Sequence, residues 1–172
     1  MPSFDPDTNL TGDRAFQLAS VGPVVLTRTL GDTTAWLADH GYRLVHLQAE
    51  NWATQADFHR DVKVALDFPD HYGHNLDAFN DCLGDVVEYA YGTSRDATGT
   101  VLVFTRYDAF AAREPRAAHV ILNIITGHAR HAMLIGHRML CLVQSNDPDL
   151  GFDPVGNTAV SWDPEALRAA RR

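Results

Sequence analysis

The stretch FPDHYGHNLDAFNDCL, residues 68–83, passes from a segment that cannot be regular into one that should be helical. Phe68-Pro69-Asp70-His71-Tyr72-Gly73-His74 reads as a loop, because proline and glycine do not both fit inside one regular element here. Asn75 then offers a good N-cap. Leu76, Phe79, Cys82, Leu83 and Val86 follow at the spacing of one helix face. Asp77, Asp81, Asp85 and Glu88 recur at i, i+4, i+8 and i+11, and at about 100° per residue they lie roughly opposite that apolar face. Between Asp67 and Glu88 stand six carboxylates (Asp67, Asp70, Asp77, Asp81, Asp85, Glu88) and no lysine or arginine. Like charges one helical turn apart repel and cost helix stability. The pattern therefore predicts a helix that buries one side and displays the other to something cationic.

Around this segment, the composition describes a folded protein. With 172 residues and 45% hydrophobic content, the chain is long enough for one substantial core and short for two domains. The formal charge of −8 argues against nucleic acid as a direct partner, since phosphate contacts need clustered Lys and Arg. It favours a basic partner. The two cysteines, Cys82 and Cys141, have no metal or redox spacing, which fits buried thiols in a reducing compartment. No signal peptide is recognisable, and no apolar run reaches the roughly 18 residues needed to span a bilayer. Those readings predict a cytoplasmic location and no membrane association.

Outward from the acidic helix, strands and helices alternate. Residues 1–20 read as an N-terminal arm, and residues 21–172 as one domain with its core over about 41–145. Val24-Val25-Leu26 predicts a short strand, and Asp32 a cap for a helix that Gly41 ends. Tyr42 to Leu47 predicts a second strand. Thr54 with Asp57 resembles a capping box, followed by Phe58, Val62, Ala65 and Leu66 at helical spacing. Thr100 to Phe104 and Met139 to Val143 are near-continuous apolar runs, the signature of strands covered on both faces. Between them Pro115 opens a helix whose stripe is Val120, Ile121, Ile124 and Ile125. The tail predicts an edge strand at Thr158 to Trp162 and a short helix from Asp163. The alternation implies parallel pairing and an α/β layered domain.

Each constellation has competing chemistry. Asp77 and Asp81 could stand in for the phosphates of a nucleic-acid substrate in a basic groove, because carboxylates accept bidentate bonds from arginine. His71 and Tyr72 in the adjoining loop have the composition of interface anchors. The same acids could instead serve a small carboxylate- or metal-dependent hydrolase. Catalytic carboxylates are normally recessed, however, and these face outward with no nucleophile or phosphate loop beside them. His71/His74 and His128/His131 are close histidine pairs without a third ligand at structural-zinc spacing, so no metal and no cofactor is expected.

The quoted stretch resembles the loop and second helix of the barstar family, intracellular inhibitors of ribonucleases. The shared pattern is apolar-Pro-acid-aromatic-Tyr-Gly-x-Asn-Leu-Asp-Ala-Leu-x-Asp-Cys-Leu, and the resemblance covers about residues 41–145. It implies a small three-stranded parallel sheet packed against helices, extended here by an N-terminal strand and helix and a C-terminal edge strand. It also implies no catalysis: the acidic helix and preceding loop would block the active site of a basic, secreted-type ribonuclease, or fill the phosphate-binding groove of another basic protein. A barstar-like adaptor or immunity module is the variant of this reading without a nuclease. By position, Asp81 matches the family's principal carboxylate and Asp77 its second interface acid. His71 stands where the family has a tyrosine, Asn80 where it has an interface tryptophan, and Asp85 in place of a glycine. Tyr72, Gly73 and His74 complete the implied contact, with Asn75 as the helix cap. If His71 and His74 line it, affinity should change between about pH 5 and 8.

Overall fold

The computed structural model describes residues 22–163. The arm expected over residues 1–20 lies outside the described residues, as does the helix expected from Asp163, beyond that residue itself. In chain order come β1 (Val24–Thr27), α1 (Gly31–Asp39), β2 (Tyr42–Gln48), a 3-10 turn (Ala49–Asn51) and α2 (Gln55–Ala65). They are followed by α3 (Leu76–Val87), β3 (Gly99–Thr105), α4 (Tyr107–Arg113), α5 (Pro115–Leu134), β4 (Met139–Gln144) and β5 (Ser161–Trp162). The five strands form one sheet in the order β2-β3-β4-β1-β5, and every pairing is parallel. The fold is thus α/β. The expected three-stranded sheet is β2-β3-β4, and β1 and β5 extend it on one side.

Alternation along the strands divides the core into two layers. Val25, Val101, Val103, Leu140 and Leu142 share one apolar cluster with Leu37 of α1. Val24, Leu26, Val45, Leu47, Leu102, Phe104, Cys141 and Val143 belong to the other, with buried residues of α2, α3, α4 and α5. Both faces of β3 and β4 are therefore covered, which is why those strands read as unbroken apolar runs. Trp52, fully buried, ties the larger layer together. Its ring meets Phe58, Phe104, Tyr107 and Phe110 edge to face, and its indole N–H donates to Asp61 Oδ2 at 2.8 Å.

Three local expectations are corrected, and one helix was not foreseen. Asp32 does not cap α1: Leu30 occupies that position without a side-chain bond, and Asp32 lies in the first turn, where it still complements the helix dipole. On α5 the buried stripe is Ala117, Ala118, Ile121, Leu122, Ile125, Thr126, Ala129 and Ala132, with Val120 and Ile124 at its margin. Helix α4 was not anticipated; it is one seven-residue segment between two stronger signals. The last strand shrinks to Ser161–Trp162, after an antiparallel bridge between Val155 and Thr158. The capping box is present as read, with Asp57 Oδ2 accepting from the Thr54 backbone at 3.0 Å.

Trp52→Ala should cost about 3–5 kcal/mol of stability, the range for emptying a large aromatic site. Urea denaturation measures it, and a loss under about 1 kcal/mol would show that Trp52 does not organise this layer.

Candidate docking face

The loop before α3 is built downward into the protein, not outward. Helix α2 ends at Ala65 with Leu66 as its C-cap, and Asp67 takes a left-handed conformation (φ 53°) that turns the chain. Gly92 allows this turn to close, since a Cβ there would lie 2.4 Å from the Leu66 carbonyl oxygen. The Pro69 carbonyl accepts from the Tyr72 N–H at 2.9 Å, tightening the loop around its own proline. Tyr72 then points inward. Its exposure is 4%, its ring packs edge-on against Phe68, and its hydroxyl lies 2.5 Å from Nδ1 of His59.

His59 is the buried base of the loop. Gln55 Nε2 lies 3.1 Å from His59 Nε2. With the Gln55 amide donating there, Nδ1 carries the imidazole proton and donates to the Tyr72 oxygen. Burial, reinforced by the nearby His74, lowers the His59 pKa to about 4, so the ring is neutral at pH 7. Desolvation pushes the Tyr72 phenol well above its ordinary value. Tyr72 was expected among exposed anchors; it is instead the side chain that pins the loop to α2. What the loop shows to solvent is Asp70, His71, Gly73 and His74. His74 adopts φ 51° and rests its ring 4.9 Å from that of Tyr72.

Asn75 starts α3 as expected, its Oδ1 accepting from the Ala78 N–H at 2.8 Å. Phe79, Cys82, Leu83, Val86 and Val87 are buried, with Phe79 edge-on to Phe58 of α2 at 4.9 Å. Asp77, Asn80, Asp81, Asp85 and Glu88 are exposed. The helix is therefore two-sided, as its sequence required.

The six carboxylates separate by their partners. Asp67 lies 3.8 Å from Arg43 and Asp70 3.6 Å from Lys63. Asp85 accepts from the Tyr91 hydroxyl at 2.8 Å, and Glu88 lies 3.5 Å from His131 Nε2. Asp77 and Asp81 have no hydrogen bond or ion pair among the described residues; His128 is near enough to Asp81 only to feel its charge. Exposed ion pairs contribute little stability, about 0–1 kcal/mol each, but Arg43 and Lys63 do set a positive charge beside Asp67 and Asp70, whereas Asp85 has a neutral hydroxyl as its partner. The two acids without such partners are the two that the sequence singled out. The histidine pairs are engaged separately: His74 on Tyr72, His128 on Asn80 and His131 on Glu88. Among the described residues no three metal-ligating side chains gather, and no helix is long and apolar enough to cross a membrane.

Sequence reasoning missed His59 and met His128 only as half of a histidine pair, because neither side chain's partner on another element can be read from its own helix. The available signal for His59 was its place beside Phe58 and Val62 on the buried side of α2. For His128 it was only the preceding stripe of α5, from which no contact to α3 could be read.

Two measurements follow from this geometry. Because the folded pKa of His59 is depressed, the unfolded chain takes up a proton first as pH falls. Stability should then drop by about 3 kcal/mol between roughly pH 6.5 and 4 on account of His59 alone. His128 and His137, also held neutral chiefly by burial, add slope of the same sign. Denaturation of His59→Gln across this window should be flatter than wild type; an unchanged slope would remove His59 from the account. Asn75→Ala should cost about 1 kcal/mol by loss of the cap, read as a shift in denaturation midpoint.

A family model described as Barstar (barnase inhibitor) matches residues 42–144, the segment from β2 to β4 that carries the loop and α3. A curated protein of Bacillus subtilis (strain 168), named "Putative ribonuclease inhibitor YrdF", is 68% identical over 25 residues. That stretch is 14% of this chain and spans 28% of the length of the relative. With most of its sheet, its loop and its acidic helix inside the matched segment, the chain belongs to the barstar family.

Proposed function

We propose that this chain is a non-catalytic, cytoplasmic inhibitor that lays α3 and the preceding loop into the active site of a basic ribonuclease. The observation that carries the proposal is the division of the acidic face. Asp67, Asp70, Asp85 and Glu88 each have a hydrogen-bond or ion-pair partner, while Asp77 and Asp81, one turn apart, are exposed with neither among the described residues. Two carboxylates on adjacent turns of a rigid helix lie about 6 Å apart along its face, a spacing comparable to that of successive phosphates on a nucleic-acid strand. A ribonuclease site built of Arg, Lys and His to hold phosphate would receive them with charge-assisted hydrogen bonds. The family supports this direction, as does the name of the Bacillus subtilis relative. His71, Gly73 and His74 would form the rim of the contact beside Asp77 and Asp81, with Asp85 further along the helix.

A hydrolase would need its acids recessed, where loss of water separates the ionisation of two neighbouring carboxyls. Here both lie on an exposed helix face, which suits binding from outside. An opposite-sign field would also speed encounter with a basic partner and weaken as salt rises.

Titration against a panel of small basic microbial ribonucleases should give stoichiometric inhibition of at least one. Asp81→Ala should weaken it by at least about 30-fold, the scale of an interface hot spot near 2 kcal/mol. Asp77→Ala should weaken it less, and Glu88→Gln should hardly change it. The inhibition constant should rise steadily with sodium chloride. Full inhibition by an Asp77→Ala/Asp81→Ala double variant, or RNA turnover by the protein itself, would overturn the proposal.

A further inference from the structure

Beside the two unmatched acids, about 60° around the helix from Asp77 on the side away from Asp81, stands Asn80, and a residue from a different helix holds it. His128 on α5 places Nε2 3.1 Å from Asn80 Oδ1. Gly84, one turn further along α3, makes room for that ring: a Cβ at this position would lie 3.2 Å from His128 Cε1. A side-chain amide offers one acceptor oxygen and two N–H donors. With its oxygen facing the ring, Nε2 of the imidazole carries the proton and donates, and it can do so whether His128 is neutral or charged. The part of Asn80 left for solvent is then the NH2 group. Read across the surface of α3, the face is not uniformly acidic. It presents a carboxylate at Asp77, a pair of donors at Asn80 and a carboxylate at Asp81, all exposed.

We propose that Asn80 is a specificity-determining donor, with His128 as its positioning residue, and that the partner carries an oxygen acceptor beside the cationic groups that meet Asp77 and Asp81. This inference rests on the inhibitor reading above. A uniformly cationic groove would leave the Asn80 donors facing other donors, and an unpaired donor at a closed interface is penalised. A groove with one carboxylate or backbone carbonyl beside its cations would match all three groups at once. The pair therefore narrows the partner from basic proteins in general to sites with that arrangement of charge.

The test has two arms. Without any partner, 15N NMR of the histidine rings should show neutral His128 as the Nε2–H tautomer, shifting toward a mixture in Asn80→Ala. A dominant Nδ1–H tautomer in the wild type would overturn the clamp. With the ribonuclease that the wild type inhibits in the panel above, Asn80→Asp keeps the size of the side chain but replaces donors by acceptors. It should weaken binding by at least about tenfold, with the folded state checked by circular dichroism. If the partner's acceptor is a carboxylate, this loss should shrink as salt is raised; if it is a backbone carbonyl, the loss should persist. Adding His128→Leu to Asn80→Ala should cost nothing further, because both remove one oriented amide; additive losses would reduce His128 to packing. Where Asp81→Ala abolishes inhibition and Asn80→Asp leaves it intact, the inference fails and the inhibitor reading stands. Where Asp81→Ala also leaves inhibition intact, both fall.

Discussion

The acidic face exists because the other side of α3 is buried. Phe79, Leu83, Val86 and Val87 are all wholly removed from solvent. Each such side chain contributes about 1.5–3 kcal/mol on leaving water. The like-charge pairs on the outer side oppose this by only about 0.2–0.5 kcal/mol apiece. Burial wins severalfold, so the helix can hold Asp77, Asp81 and Asp85 in a row without a cation between them. Asn75 at its start adds local support that does not involve those acids. The repulsion is thereby stored on a rigid element, and a cationic surface would relieve it.

Rigidity extends into the loop. Tyr72 is turned inward onto His59, and Pro69, Asp67 and Gly92 fix the path between α2 and α3. A loop already held in one shape pays less of the ordering penalty that weakens most protein contacts. The surface residues His71 and His74 gain position from a tyrosine that need not itself touch anything outside.

Much of this was legible in one sequence because the signals were redundant. Proline and glycine marked the loop, Asn75 the cap, and two opposed periodicities the two faces of α3. Near-continuous apolar runs marked β3 and β4, since strands covered on both sides have no polar alternation to lose. What stayed hidden was side-chain direction and long-range pairing. Tyr72 looked like an exposed aromatic because a loop residue has no period to say which way it faces. Its partner His59 lies 13 positions earlier, and the partner of Asn80 lies 48 positions later. Helix α4 escaped because seven residues between a strand and a proline-started helix give too short a window for any period to emerge. The mistaken cap at Asp32 has the same origin as the correct one at Asn75: residue type alone fits both, and only backbone geometry separates them.

The position of β1 bears on how the chain is assembled in time. Val24 pairs with Cys141 and Leu26 with Val143, so the earliest described strand finds its neighbour only after nearly all of the others have been synthesised. Among the described residues, β5 in turn pairs with β1 and with no other strand. Sequence-distant parallel pairing is slow, because a long loop must close before any contact rewards it. The segment from β2 to β4 can therefore form its ladder first, with β1 made early and placed late, and β5 added last. Helix α3 belongs to the part that can form first.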